Sequence, residues 1–403
     1  MQMVSPELLG LSSQRLARIK PVMQRYVDEN KYSGFITLVA RHGQVAHMQA
    51  VGKADIASAR PMAADTLFRI YSMTKPVTSA AALILFEEGR FRLSDPLYEY
   101  LPAFKDMQVY INTIGDTEPA RRPITILDLF THTAGLGYGI GSTTFPLSEQ
   151  MYQERYWDPI TANNGITLET LINNVAQFPL ASQPGAAWIY SLSIDVLGLL
   201  IQVLSGMSLP VYLKRRLFDP LGMTDTDFYA PPDKLHRLAT CYAPMQRDGD
   251  APDGLAPIDA FVTSGSWIEP TNSPSGGGGL VSSTADYFRF AQMLASKGSL
   301  DGVRVLGRKT VEMMLANHLP PRVYTWDDPA LGFGLGGSIV LDAAKTCEMG
   351  SPGTWSWSGA ANTEFWIDPR EDMVCMLMAQ HRSDGPKPVN IDFRTLVYHA
   401  LVD

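Results

Sequence analysis

Ser72 and Lys75 stand three residues apart in "FRIYSMTKPVTSA" (68–80), where a helix is expected to begin. At that spacing both side chains lie on one face, one turn apart. A serine hydroxyl is a poor nucleophile until something takes its proton, and a lysine does so only where burial or a neighbouring cation keeps it partly neutral. Moving a lysine toward 7 requires roughly three pKa units, about 4 kcal/mol, so its surroundings must be desolvated. The stretch after Lys75, "PVTSAAALILF", carries no charge and meets that demand. Pro76 falls in the first turn, where a missing N–H costs nothing. A helix N-terminus under Ser72 also directs free backbone N–H groups at a developing oxyanion. Set against this, S-x-x-K is a short pattern that arises by chance on the order of once in a chain of this size, and an ordinary helix start is the plainer reading of it. No other serine here has a lysine at that spacing.

The elements that must position this pair are legible from periodicity. Leu16, Ile19, Met23 and Val27 recur at helical steps behind a cap at Ser12 or Ser13, with Pro21 expected to bend the helix. "GFITLVARHGQVAHMQAVG" reads as two strands around a turn at His42 and Gly43. Near the other end "GGSIVLDA", "TWSWSGA", "TEFWIDP" and "MVCMLMA" read as successive strands, and "VNIDFRTLVYHALVD" closes the chain as an amphipathic helix. Between them the chain is helix and loop: "TSAAALILFEEG", "ITILDLFTHTAG", "TLETLINNVAQF", "LSIDVLGLLIQVLSG" and "DYFRFAQMLASKG" all carry 3.6-residue spacing. The expected fold is α+β, with an antiparallel sheet from both chain ends (1–70 and 285–403), terminal helices on it, and a mainly helical insertion at 71–284. A ligand would bind in the cleft between the two parts.

Other stretches decide between the two readings of Ser72 and Lys75. Tyr190 lies in "PGAAWIYSLSIDVLGLLIQVLSG" (184–206), after a Pro-Gly turn and before a helix for which Ser191 or Ser193 is the available cap. Trp357-Ser358-Gly359-Ala360 lies on a β-rich segment. "PSGGGGLVSSTADYFRFAQML" (274–294) supplies a flexible turn entering a helix, and "ITILDLFTHTAGLGYG" (124–139) a second glycine-rich loop. In this order the stretches resemble the serine β-lactamase and penicillin-binding-protein superfamily, closest to its class C branch and, within that, to the family VIII carboxylesterases. The resemblance runs from "GFITLVARHG" to "FWIDP", nearly the whole chain.

That resemblance implies roles. Ser72 matches the acylated nucleophile, Lys75 its partner, and Tyr190 the tyrosine that shuttles a proton between nucleophile, leaving group and water. The backbone N–H groups of Ser72 and Ala360 would form the oxyanion hole. Substrate contacts are expected from Trp357, Ser358, Gly359 and Leu192, with Tyr138 and Trp355 as pocket walls. Two departures narrow the substrate. Trp357 stands where β-lactamases carry a lysine that grips a carboxylate, and Leu192 where they place an asparagine that bonds a substrate amide. A site without the polar partner gains little from the amide. The implied activity is therefore a serine carboxylesterase acting on short-chain acyl esters. Acyl transfer, weak β-lactamase or D-aminopeptidase activity is the alternative on the same fold, and a non-catalytic binding protein is the reading from another class.

Composition agrees. The chain has 403 residues, is 45% hydrophobic and 18% charged, and carries a formal net charge of -8. With no basic cluster it lacks the face a nucleic-acid backbone needs, and no run of about 18 apolar residues offers a membrane span. Three cysteines without CxxC spacing suggest neither disulfide framework nor zinc site. Together with a first segment that lacks a secretory pattern, they lead us to expect a cytoplasmic protein. No G-x-S-x-G elbow is present, and the histidines show no H-E-x-x-H spacing. His132 is expected to play a structural, hydrogen-bonding part. "GFGLGG" (332–337) fits a dinucleotide fingerprint only nominally, since a strand follows it instead of a helix. No cofactor or metal is implied, the expected partner is a small-molecule ester, and oligomeric state has no signature in the sequence.

Overall fold

The first hairpin forms where the alternation demands it. Strands β1 (Gly34–Arg41) and β2 (Gln44–Asp55) are joined by His42 and Gly43, whose φ values of 52° and 72° are the two left-handed residues that match a tight turn to strand twist. The structure is a computed structural model describing residues 2–112, 115–138, 165–245, 254–258, 267–383 and 387–403. A short strand β3 (Arg60–Pro61) extends this hairpin. Strand β4 (Leu67–Arg69) leads into the segment bearing Ser72 and pairs with β5 (Val281–Ser283). The C-terminal strands are β6 (Leu331–Phe333), β7 (Ser338–Val340), β8 (Trp355–Ser358), β9 (Glu364–Asp368) and β10 (Met373–Met378). They join the N-terminal ones in an eight-stranded antiparallel sheet of order β6-β7-β8-β9-β10-β1-β2-β3. "GFGLGG" is the β6–β7 hairpin, with Gly336 at φ 94°.

Every residue of β1 and β10 is buried, because the sheet is covered on both faces. On one face Phe35, Val39, Trp366, Cys375 and Leu377 pack against the terminal helices α1 (Ile19–Asp28) and α7 (Pro388–His399). The alternate residues Ile36, Leu38, Val374, Met376 and Met378 enter the main core shared with the helical part, as period-two side-chain direction requires. Pro21 does not bend the helix. The chain breaks before it, at Ala17 and Arg18, and Pro21 sits in the first turn of α1, where its ring costs no hydrogen bond.

The described part of the insertion is built around α2 (Thr74–Glu87), α3 (Ile126–Phe130), α4 (Leu168–Val175) and α5 (Ser193–Ser205); helix α6 (Thr284–Ala295) then leads back toward the sheet. Helix α2 is buried without interruption from Thr74 to Leu85. Its apolar residues therefore serve the core on all sides, and truncating a fully buried one such as Leu83 to alanine should cost about 2–5 kcal/mol. The expected cap of α5 is corrected by the structure: Leu192 occupies the N-cap, with no side-chain cap. Ser191 and Ser193 instead share a hydrogen bond of 2.8 Å with each other.

Candidate active site

Ser72 lies in a single 3-10 turn (Tyr71–Met73) that runs straight into α2. Its own N–H is a first-turn donor, which has no intrahelical partner. Tyr71, just before it, has φ 44°, a left-handed conformation that costs a non-glycine residue roughly 1 kcal/mol or more. The turn is held in it by packing: the Tyr71 ring meets Trp267 edge-on, and Tyr287 donates to the Met73 carbonyl at 2.9 Å.

Lys75 is fully buried. Its Nζ donates to Ser72 Oγ at 3.2 Å and to the Gly277 carbonyl at 2.7 Å, and lies 4.6 Å from the centre of the Tyr190 ring. The Tyr190 hydroxyl donates to Ser72 Oγ at 2.6 Å. The three side chains named by the sequence thus converge on one oxygen. That oxygen receives two donors, so one proton must leave the Lys75–Tyr190 pair before the serine proton has an acceptor. Groups this close lose protons as a unit, with apparent values that belong to the pair.

The loop after α3 brings a second tyrosine. A capping box at Thr125 and Asp128 starts α3; Asp128 also receives a two-point ion pair from Arg122 and a hydrogen bond from Thr133. This anchors the start of the loop that runs to Tyr138, which stacks on Tyr190 at 5.2 Å and 6° between planes. Burial first, then the neighbouring Tyr190 and Asp195, push the Tyr138 phenol well above its ordinary value. Gly139, the last residue of this predicted loop, lies outside the described residues. His132 is fully buried against Tyr190, Phe333 and Trp188, and its Nδ1 hydrogen-bonds Ser191 Oγ at 3.2 Å. Burial and then the Lys75 charge hold its imidazole neutral, its pKa well below the usual value.

The opposite wall is β8. Trp357 is buried with its ring 5.6 Å from Tyr190, and Ser358 is exposed at the strand end. Gly359 admits no side chain: a Cβ there would lie 2.4 Å from the Ile70 carbonyl. That approach packs the end of β8 against Ile70, two residues before Ser72, and Ala360, whose amide the sequence resemblance assigns to the oxyanion hole, follows as an exposed residue. Two pocket residues fall elsewhere. Leu192 is fully buried in the main core and lines no substrate surface. Trp355 is also core: its indole packs edge-on against Phe365 and fills the space beside Gly337.

Residue patterns alone did not single out several neighbours. Trp326, 60% exposed and at φ 56°, reaches Trp188 (4.5 Å) and Tyr190 (5.6 Å). It lines with Trp357 and Ser358 a groove of about 270 Å³ whose walls also include Glu364 and Arg394. Arg382, over the Tyr71 ring at 5.9 Å, adds a second cation whose field reaches Tyr138. The glycine-rich 275–279 segment, expected to be a flexible turn, is instead pinned: Thr78 donates to the Gly276 carbonyl, Lys75 to that of Gly277, and Asp195 accepts from Ser275 and Gly277. A strand, β5, then intervenes before α6.

Residues 19–399 match the Beta-lactamase family. The chain belongs to the Beta-lactamase family. Members similar to it include Protein Rv1367c of Mycobacterium tuberculosis, 37% identical over 89% of this chain and 88% of the relative. Esterase EstB of Burkholderia gladioli is 29% identical over 98% of both chains. Among solved structures, EstCE1, described as a hydrolase with promiscuous acyltransferase activity, superposes with a TM-score of 0.79 at 28% identity, covering 96% of this chain and 99% of its own. The β-lactamase/transpeptidase-like fold expected from the sequence is the fold observed, and within it the chain is a serine hydrolase of this family.

Proposed function

We propose that the protein is a serine carboxylesterase that cleaves short-chain acyl esters through an acyl-enzyme on Ser72. The observation that carries this reading is the meeting of Lys75 and Tyr190 on Ser72 Oγ opposite an indole, Trp357, where a carboxylate-binding lysine would otherwise stand. Ser72 Oγ attacks the ester carbonyl and its proton passes to the Lys75–Tyr190 pair. The carbonyl oxygen takes up the negative charge at the Ser72 and Ala360 amides. The C–O bond to the alcohol breaks as Tyr190 returns a proton to it, and water, deprotonated by the same pair, then releases the acid. The resemblance to Esterase EstB over the whole chain supports the ester as substrate. The three free cysteines, two of them buried, suit the reducing cytoplasm that we propose as its location.

Transfer of the acyl group to an alcohol is the second reading. It is favoured by the aromatic lining of Tyr138, Trp326 and Trp357 beside the nucleophile, which disfavours water relative to an apolar acceptor, and by the activity named for EstCE1. p-Nitrophenyl butyrate should be hydrolysed with a burst equal to the enzyme concentration, and Ser72→Ala should abolish turnover. Full activity in the alanine variant would end this reading. The same assay with added butanol separates hydrolysis from transfer.

A further inference from the structure

We propose that Asp195 is a positioning residue of the acylation centre, acting on Lys75 through Gly277. Asp195 is the only charged residue of α5, an otherwise apolar and mostly buried helix, and is itself fully buried. An unexplained carboxylate in such a place is costly unless it is bonded. Its Oδ1 accepts from Ser275 Oγ at 2.6 Å and from the Gly277 N–H at 3.0 Å. The carbonyl of the same Gly277 accepts from Lys75 Nζ at 2.7 Å. One glycine therefore carries the carboxylate on its amide and the lysine on its carbonyl. The position must be glycine, since a Cβ there would come within 2.3 Å of Asp195 Oδ2.

That second oxygen is buried and, among the described residues, has no hydrogen-bond partner. Structural anchoring of the 275–279 segment needs only Oδ1, and an asparagine would serve it as well. What the carboxylate adds is negative charge, one residue removed from a lysine whose two hydrogen-bond acceptors, Ser72 Oγ and a carbonyl, are both uncharged. The field of Asp195 already contributes to the raised value of Tyr138.

The sign of its effect does not depend on which group of the centre loses the proton. When the Lys75–Tyr190 pair gives one up it becomes one charge more negative, and a buried anion nearby opposes that step. Among the described residues, the titratable or charged groups around the pair are Tyr138 and His132 from the loop after α3, Asp195 from α5 and Arg382 beyond β10. Of these, His132 is already neutral and Tyr138 stays protonated. Removing the charge of Asp195 should therefore make the pair lose its proton more easily, while the less firmly held ammonium group is less well aimed at Ser72.

This inference rests on the assignment of Ser72 as nucleophile made above, but its test does not require an ester substrate. The readout is the rate at which a fluorophosphonate modifies Ser72 between pH 5 and 9, followed by intact mass. In that step the Ser72 Oγ–P bond forms, the P–F bond breaks, fluoride leaves and the serine proton passes to the Lys75–Tyr190 pair. Asp195→Asn should label on the order of ten-fold more slowly at the plateau, with the acid limb of the profile moved down by about half a pH unit or more. Asp195→Ala should slow labelling further. With p-nitrophenyl butyrate the loss should fall on kcat and leave KM within about two-fold. A profile for Asp195→Asn that superimposes on wild type, or a loss confined to KM, would overturn the proposal. If wild type labels at Ser72 but hydrolyses no ester, the esterase reading fails and the labelling profile still decides the role of Asp195.

Discussion

The two walls of the cleft are built on opposite principles. On the α2 side the reacting groups and their supports are bonded to one another: Lys75 to Ser72 and Gly277, Tyr190 to Ser72, Thr78 to Gly276, Asp195 to Ser275 and Gly277. On the β8 side Trp357 and Trp326 present rings, and the buried Nε1 of Trp357 has no hydrogen-bond partner among the described residues. Fixed dipoles and charges stabilise a transition state only if they need not reorganise, so the bonded wall performs the chemistry. The aromatic wall offers area without directed bonds and selects what is bound. Truncating the first wall should therefore damage kcat far more than any change to the second. Lys75→Ala and Tyr190→Phe should each lower kcat/KM for p-nitrophenyl butyrate by about 10³-fold or more, roughly 4 kcal/mol. The double variant should be little worse than either single one, because residues that act as a unit are not additive. Steady-state kinetics of the three variants would expose an error here as multiplying losses.

The aromatic wall should respond in a different currency, preference rather than rate. Trp357→Lys places an ammonium group against the Tyr190 ring, where the wild type has an indole 5.6 Å away. It should reduce kcat/KM for the ester by about ten-fold, because a second cation near the pair lowers its basicity and removes apolar surface. Turnover of a chromogenic cephalosporin, whose carboxylate gains a partner, should rise by a similar factor. If both substrates lose activity in parallel, Trp357 is only filling space and the division between the walls is wrong.

How much of this could be read from residues alone follows the same division. Strands and helices that serve the core carry their period in the sequence, which is why β1, β10, α2 and α5 were expected where they lie. Ser72 and Lys75 were legible as a pair from their spacing at a helix start, a local feature, whereas Tyr190, which at a helix start reads by itself as packing, was singled out only by the family resemblance. Trp326 was not, because its position depends on left-handed backbone at residues 326 and 327 and on contacts across more than a hundred residues of chain. Trp355 and Leu192 were misplaced toward the pocket for the converse reason: an apolar residue next to a motif looks the same whether it lines a cavity or closes the core. Asp195 did leave a signal, a single acid in a helix with no other charge. That signal acquires meaning only when Gly277, 82 residues on, is seen to link it to Lys75.

The smallest effect separates the walls by titration. His132 sits in the bonded wall, and burial together with the Lys75 charge depresses its pKa in the folded state. The unfolded chain takes up a proton on this imidazole below about pH 6.5; the folded chain does not. The unfolded state therefore binds more protons as pH falls, and stability declines in that direction. His47 and His381, which burial holds at about 4, contribute with the same sign. Between pH 6.5 and 5.5 each such group removes about 1 kcal/mol. His132→Asn should lose stability through reduced packing at every pH, but its further loss over this interval should be smaller than that of wild type by about 1 kcal/mol. Trp357→Phe, in the wall without a titrating group, should keep the wild-type slope. Urea unfolding of the three proteins at the two pH values measures both differences. An unchanged slope in His132→Asn would mean that this imidazole is charged in the folded protein, and the bonded wall would then hold one more cation beside Lys75 than its geometry implies.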